Sequence, residues 1–311
     1  MRLLITGYNG VIGRRFLDLY GHRFTHIYCL GRSKSSFERA QHIFYDLTRC
    51  GDIALPQIDV FLHFAGQTSA RFSLQNPYLD LKINTLGLVK ILEILKNVNN
   101  TKFITIFSGT STQIGITDFP RPLDFEIDNP VTFYDLSKLT AEKYLMQFER
   151  EFNYPTCTLR LANVYGATHA LQGQGRGVID RAIIDALKGN KLKIFGSGEQ
   201  VRDYIHVDDV CSAFFTSIVK YELLRGKSFE IGTGIPTTVK DAFHQIAVLA
   251  RELTGRDVTL DHDYSVTLSP IDTRNFVARP YFSEKSNWQP DVDLASGIRK
   301  TIISYLQKMD I

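Results

Sequence analysis

Tyr134 and Lys138, four residues apart in Tyr134-Asp135-Leu136-Ser137-Lys138, are the pair whose types and spacing point most directly to chemistry in this chain of 311 residues. A phenol ordinarily gives up its proton only near pH ~10. Tyr134 can therefore act as a proton donor or acceptor at neutral pH only beside a group that favours the phenolate. A lysine ammonium does so, and residues four apart on a helix share a face at roughly 5–6 Å between Cβ atoms. The segment has a helical pattern, since Leu136, Leu139, Ala141, Tyr144 and Leu145 recur at helix-like intervals around Glu142 and Lys143. Tyrosine and lysine at this spacing also arise by accident, so the surrounding chain must carry the case. A second candidate is Thr110, in Phe107-Ser108-Gly109-Thr110-Ser111-Thr112-Gln113-Ile114-Gly115, where an apolar run opens into small residues. A hydroxyl there can donate to a substrate oxygen, or simply cap a turn.

The elements that must position these groups follow the βαβ rhythm of a parallel sheet covered on both faces. Short apolar runs predict strands over 3–6, 26–30, 60–64, 103–107 and 157–161, and amphipathic patterns predict helices over 13–20, 84–96 and 137–152. The first strand runs into Thr6-Gly7-Tyr8-Asn9-Gly10-Val11-Ile12-Gly13. Three glycines at this spacing allow a tight turn, close approach of a pyrophosphate and packing of the next helix, whose N-terminus attracts negative phosphates. Gly7, Asn9, Gly10, Val11, Ile12 and Gly13 are accordingly candidate dinucleotide-binding residues. The second strand ends in Cys29-Leu30-Gly31-Arg32-Ser33, without the acid that would accept a ribose 2′-OH. Arg32 with Ser33 suits a 2′-phosphate and favours NADP over NAD, unless Arg32 is a solvated surface charge. Asp46-Leu47 follows a possible third strand, where Asp46 either accepts from the adenine amino group or closes a turn. Phe64, Ala65 and Gly66 end the strand after Asp59, as a backbone passing close to a ligand requires. His63, inside that apolar run, reads as a core histidine.

Composition narrows the classes. Charges nearly cancel, 36 basic against 33 acidic residues for a formal +3, which does not suggest a nucleic acid or an anionic membrane as partner. Cys29, Cys50, Cys157 and Cys211 are scattered without CxxC or metal-ligand spacing, so they read as reduced interior thiols and no metal is expected. No apolar run reaches the ~18 residues of a membrane span, and Arg2-Leu3-Leu4-Ile5 lacks the pattern of a signal peptide. The expectation is a cytoplasmic protein.

With these motifs assembled, the chain resembles the extended short-chain dehydrogenase/reductases, specifically the nucleotide-sugar epimerase/dehydratase group. Further matching segments are Leu159-Arg160-Leu161-Ala162-Asn163-Val164-Tyr165-Gly166, Phe195-Gly196-Ser197-Gly198-Glu199-Gln200, Arg202-Asp203-Tyr204-Ile205-His206-Val207-Asp208-Asp209, Phe229-Glu230-Ile231-Gly232-Thr233-Gly234 and Asn287-Trp288-Gln289-Pro290. The resemblance implies an α/β fold, a Rossmann-type doubly wound parallel sheet with a smaller mixed α/β lobe. It implies Tyr134 as acid/base, Lys138 lowering its pKa and binding the nicotinamide ribose, and Thr110 bonding the reacting oxygen. Asn163 and Arg202 would meet the substrate's pyrophosphate, with Arg274 as a second, loosely aligned arginine. Val178 would offer backbone groups to the nucleotide, the strand Lys193-Ile194-Phe195 would lie beside the base, and Gln67 would face the sugar. A structural salt bridge from Arg202 to Asp208 or Asp209 is the competing account of that arginine.

Departures from the family pattern carry equal weight. Dehydratases of the group have an Asp-Glu pair directly after the catalytic threonine, whereas this chain has Ser111 and Thr112, which argues against a 4,6-dehydratase. Gly109 and Ile114 replace a common serine and tyrosine and imply a reshaped sugar pocket. Together with Arg32 and Ser33, these features favour an NADP-dependent (NADPH-consuming) reductase of a nucleotide-activated 4-keto-6-deoxy sugar, of the kind used in bacterial-type surface-polysaccharide synthesis. The alternative is a nucleotide-sugar 4-epimerase retaining NAD. The expected nucleotide-binding domain covers 1–166 and 203–235, the substrate lobe covers 167–202 and 236–311, and the helices at 84–96 and 137–152 are expected to pair two copies into a homodimer.

Overall fold

The computed structural model describes residues 1–49, 51–122, 128–166 and 177–309; Cys50 and part of the expected lobe boundary near 167 fall outside them. The expected strands appear as β1 (Arg2–Thr6), β2 (His26–Gly31), β3 (Ala40–Phe44), β4 (Val60–His63), β5 (Ile104–Thr110) and β6 (Thr156–Leu161). Four short strands follow, β7 (Asn163–Tyr165), β8 (Leu192–Phe195), β9 (Val201–Arg202) and β10 (Tyr204–His206), then β11 (Lys227–Ile231), β12 (Thr237–Thr238) and β13 (Leu260–Asp263). Seven strands form one parallel sheet in the order β11-β6-β5-β4-β1-β2-β3. Such strands are covered on both faces, which is why Leu3, Leu4 and Ile5 are all fully buried instead of alternating. The order reverses between β1 and β4, and ligands of open α/β sheets bind at that crevice.

The helices are α1 (Val11–Tyr20), α2 (Ala70–Gln75), α3 (Pro77–Leu81), α4 (Gly87–Val98), α5 (Phe133–Phe152), α6 (Val178–Leu187), α7 (Val207–Val219), α8 (Tyr221–Leu224), α9 (Val239–Thr254), α10 (Pro270–Thr273), α11 (Tyr281–Ser286) and α12 (Leu294–Met309). One side of the sheet buries Phe16, Val210 and Phe214 from α1 and α7 with Ile5 and Leu62. The other buries Leu88, Ile91 and Leu95 of α4 and Ala141 and Leu145 of α5 with Leu4, Phe61 and Phe107. A third core joins Ile183, Ile194, Ile246 and Ile302, from α6, β8, α9 and α12. Three small sheets serve this part of the chain: β7 with β10, β9 with β12, and β8 with β13.

Two helices differ from the sequence expectation. Helix α5 starts at Phe133, four residues before the expected 137, because Thr132 caps it. The Thr132 hydroxyl accepts the Asp135 N–H at 3.0 Å and Asp135 Oδ2 accepts the Thr132 N–H at 3.3 Å, a capping box. The expected helix over 84–96 is α4 preceded by a π-helical turn, Lys82–Leu86, that continues from α3. Such turns widen the helix locally and recur at functional sites; here it turns Asn84 and Thr85 inward, both fully or nearly fully buried. No helix among the described residues is long and apolar enough to cross a membrane.

Candidate active site

The glycine turn between β1 and α1 is built as a cradle. Gly7 has φ +67°, and a Cβ on it would lie 2.5 Å from the Ala65 nitrogen; one on Gly13 would lie 2.4 Å from the Gly7 carbonyl oxygen. Neither position admits a side chain. Gly10 precedes α1 and donates its N–H to the Gly7 carbonyl at 2.9 Å, while Val11 and Ile12 pack against the core. Asn9 donates its amide to the Lys34 carbonyl at 3.1 Å, and the Tyr8 hydroxyl donates to the Ser33 carbonyl, so this turn is tied to the loop after β2. Arg32 is exposed on that loop, and its charge is one of the weaker influences lowering the Asp46 carboxyl. The first cause is Thr48, whose N–H and hydroxyl donate to Asp46 Oδ1 at 2.9 and 2.8 Å. Asp46 is thus a turn residue here, and Leu47 packs against the start of α4. These residues fit a dinucleotide: a backbone without side chains faces the N-terminus of α1, where phosphates are favoured.

Beyond β4 the chain passes equally close to its neighbours. The Phe64 ring packs edge-on against Phe214 at 4.6 Å, Ala65 donates its N–H to Thr6 Oγ1 at 3.2 Å, and a Cβ on Gly66 would lie 3.6 Å from Lys138 Nζ. His63 is fully buried, shares a hydrogen bond with Thr6 at 2.9 Å and stacks on Phe107, as a core histidine should. Burial, with the Lys138 charge, pulls its imidazole down to about 3.

Tyr134 and Lys138 lie in the first two turns of α5, facing the end of β5. The Thr110 side chain lies near enough to the phenol to lower its pKa, so the structure brings together the two candidates that sequence reasoning treated separately. Lys138 Nζ sits 4.3 Å over the Phe107 ring. Lys138 is not among the main influences on the Tyr134 phenol. Burial dominates both groups, pushing the phenol up to about 12 and the ammonium down to about 7. Asp135 and Asp80 push the phenol further up, while Thr110 and Arg274 pull it down. For Lys138 the opposing influence is Asp80.

Two buried networks, absent from the sequence reading, hold this arrangement. In the first, Asp80 Oδ2 accepts the Ser137 hydroxyl at 2.6 Å while Oδ1 accepts Asn84 Nδ2 at 3.1 Å and Gln67 Nε2 at 2.6 Å. Gln67 also donates to the Ser69 carbonyl, so its carboxamide is engaged with the protein. In the second, Gln113 Oε1 accepts the Thr110 N–H at 2.7 Å, and Gln113 Nε2 donates to Glu142 at 2.8 Å. Glu142 accepts two bonds from Arg160, which gives two more to Asp128. Gly109 is small for the same reason: a Cβ there would lie 2.9 Å from Gln113 Oε1.

A cavity of about 860 Å³ opens beside these groups, and Ser111, Thr112, Asn163, Val178, Arg202 and Arg274 line it together with β8. Four residues expected to bind substrate thus share one wall system, although they come from four separate stretches of chain. Arg202 makes no bridge to Asp208 or Asp209. It donates to the carbonyls of Val201 (3.1 Å), Asp272 (2.7 Å) and Arg274, whereas Asp208 pairs with Arg15 and Asp209 accepts the N–H groups of Asp291 and Val292. Carbonyls orient the guanidinium without neutralising it. Burial lowers the Arg202 pKa, and the neighbouring Arg274 adds to that. Two convergent arginines in a concave site suit a diphosphate.

This geometry can be set against known proteins. Residues 3–232 match the model of the NAD dependent epimerase/dehydratase family. The chain belongs to that family. It is 29% identical over 323 residues to the UDP-glucose 4-epimerase of Mycolicibacterium smegmatis, covering 99% of both chains. It is 28% identical over 314 residues to a putative UDP-glucose 4-epimerase of Methanocaldococcus jannaschii, covering 96% of this chain and 97% of that one. Among solved structures, the UDP-glucose 4-epimerase of Thermotoga maritima with UDP-glucose superimposes with a TM-score of 0.83 at 29% identity, covering 99% of this chain and 100% of that one. The family uses a nicotinamide dinucleotide, and the Rossmann-type architecture expected from the glycine turn is the one observed.

Proposed function

We propose that the protein is a nucleotide-sugar 4-epimerase acting through a transient 4-keto sugar. The observation that supports this reading is a single cavity walled by Asn163, Arg202 and Arg274 that also reaches Ser111 and Thr112, the residues directly after Thr110. A neutral ketone would leave two convergent arginines without an anion, whereas a nucleoside diphosphate sugar supplies one. The expected lobes, 1–166 with 203–235 and 167–202 with 236–311, would enclose it. The sequence alone ranked a reductase first and the epimerase second. Similarity to UDP-glucose 4-epimerases along essentially the whole chain supports reversing that order.

In this reading Tyr134 takes the proton of the sugar 4-hydroxyl and later returns it to the opposite face. The nicotinamide, when bound, accepts a hydride from carbon and gives it back. Lys138, buried beside Gly66, is placed to favour the phenolate when charged, and Asp80 favours that charge. Arg202 and Arg274 keep the diphosphate fixed while the sugar turns between the two half-reactions. Ser111 and Thr112 offer no acid and base for water loss, which supports epimerisation over dehydration. Exposed Leu81, Leu86, Leu136 and Tyr144, around α3 to α5, support a homodimer through these helices.

A specific observation keeps a second reading, the NADPH-consuming reductase: Arg32 stands exposed after β2 with no acid at the strand end. Purified protein titrated with NADPH and NADH, with assay of the nucleotide released on denaturation, separates the two. Retained NAD supports the epimerase. An empty site with a clear NADPH preference that Arg32→Ala abolishes would overturn it.

A further inference from the structure

We propose that Asp135 is a positioning residue of the active site: it orients the hydroxyls of Thr112 and Thr110 beside Tyr134 and tempers the charge of Arg274 at the cavity wall. This deepens the epimerase reading and rests on it for the identity of the substrate. Asp135 caps α5 with one oxygen, but a capping carboxylate at a helix start is ordinarily wet, and this one is fully buried. Its Oδ1 accepts the Thr112 hydroxyl, and its Oδ2 lies 3.5 Å from Arg274 Nη1. Thr112 Oγ1 is in turn 3.1 Å from Thr110 Oγ1, and Thr110 neighbours the Tyr134 phenol, whose pKa it lowers.

Direction along this row follows from the chemistry of its end. An ionised carboxylate can only accept. Thr112 therefore donates to Asp135, and Thr110 Oγ1, which accepts the Thr112 N–H at 3.3 Å and lies against the Thr112 hydroxyl, is held in place beside the phenol. The charged and titratable groups facing this row are Arg274 across the cavity wall, Tyr134 and Lys138 on the same helix, and Asp80 on α3. Among them, Asp135 and Asp80 both push the phenol up and Arg274 pulls it down.

Inorganic pyrophosphate is the first probe, because it reports on the arginines without needing a base or a sugar. Asp135→Asn keeps the shape and removes the charge. It is expected to bind pyrophosphate about fivefold tighter than the parent, the scale of one modest ion pair, whereas Thr112→Val is expected to bind it equally. In epimerase assays both variants should lose about tenfold in kcat, one hydrogen bond's worth, with little change in KM. The acidic limb of the kcat profile should move to lower pH only in Asp135→Asn. Unchanged pyrophosphate affinity with an unmoved limb in Asp135→Asn overturns the proposal. If that variant does not fold, Thr112→Val decides alone, and parental kcat overturns it. Tighter pyrophosphate binding in Asp135→Asn, with no nucleotide sugar epimerised even by the parent, would sink the epimerase reading and leave the role of Asp135 standing.

Discussion

Glu142 lies two helical turns beyond Tyr134 and is fully buried. It accepts Arg160 Nε at 2.9 Å, Arg160 Nη2 at 2.6 Å and Gln113 Nε2 at 2.8 Å. Glu142→Ala removes all three hydrogen bonds at once. Breaking a buried pair by deleting one partner costs about 3–5 kcal/mol, because the remaining charge is left uncompensated. Asp128 still holds Arg160 through two bonds of 2.6 and 2.7 Å, which places the ion-pair loss at the lower end, about 3 kcal/mol. The stranded Gln113 amide adds about 1 kcal/mol. A loss of about 4 kcal/mol is a large part of the ~5–15 kcal/mol that holds a native protein together. Denaturant unfolding followed by circular dichroism measures it. A companion double variant, Glu142→Leu with Arg160→Met, removes both charges and is expected to recover most of the loss, since well-packed apolar replacements of buried pairs are often neutral. A Glu142→Ala protein within ~1 kcal/mol of the parent would refute the claim that this carboxylate anchors the network under Thr110.

Other outcomes follow from the same geometry. Tyr134→Phe should lower kcat by ~10²-fold or more while dinucleotide binding, followed by fluorescence titration, stays near the parental value. Lys138 has its pKa lowered from 10.5 to about 7 by burial, so between those values the unfolded chain carries a proton that the folded one lacks. In the cofactor-free protein, unfolding free energy from Lys138 should therefore rise with pH from about 7 towards 10.5, and Lys138→Met should remove that slope in urea titrations at stepped pH. Tyr134 acts the other way at higher pH: its raised phenol disfavours ionisation in the fold, and this stability is lost as pH climbs from 10 towards about 12. Arg202→Met should raise KM for a nucleotide sugar at least ~10-fold with a smaller change in kcat, as lost uniform binding does.

The parts of this molecule that were legible in the sequence are those written in local pattern. The glycine turn, five of the parallel strands and the Tyr134–Lys138 face each announce themselves within a few residues. The start of α5 at Phe133 was also written locally, in Thr132-x-x-Asp135, but the sequence reading missed it and placed the start at 137. What could not be read was pairing across the chain. Arg202 is oriented by carbonyls that include those of Asp272 and Arg274, some 70 residues away, and the Gln113–Glu142–Arg160 line joins the turn after β5, α5 and β6 only after they pack. The inward turn of Asn84 depends on a π-helical turn that composition does not signal. Burial misled the sequence argument in one respect. Two partners four apart on a helix were expected to stabilise each other's charge, but desolvation outweighs that attraction at Tyr134 and Lys138.

The central claim, internal return of a hydride to the opposite face of one sugar, is tested most directly by incubating the purified protein with UDP-galactose in deuterated buffer without added NAD(P)H. Proton magnetic resonance then follows carbon 4. The epimerase account predicts UDP-glucose with protium retained at that carbon and no net change in cofactor. Absence of epimer, together with NADPH oxidation when a 4-keto nucleotide sugar is supplied, would contradict it.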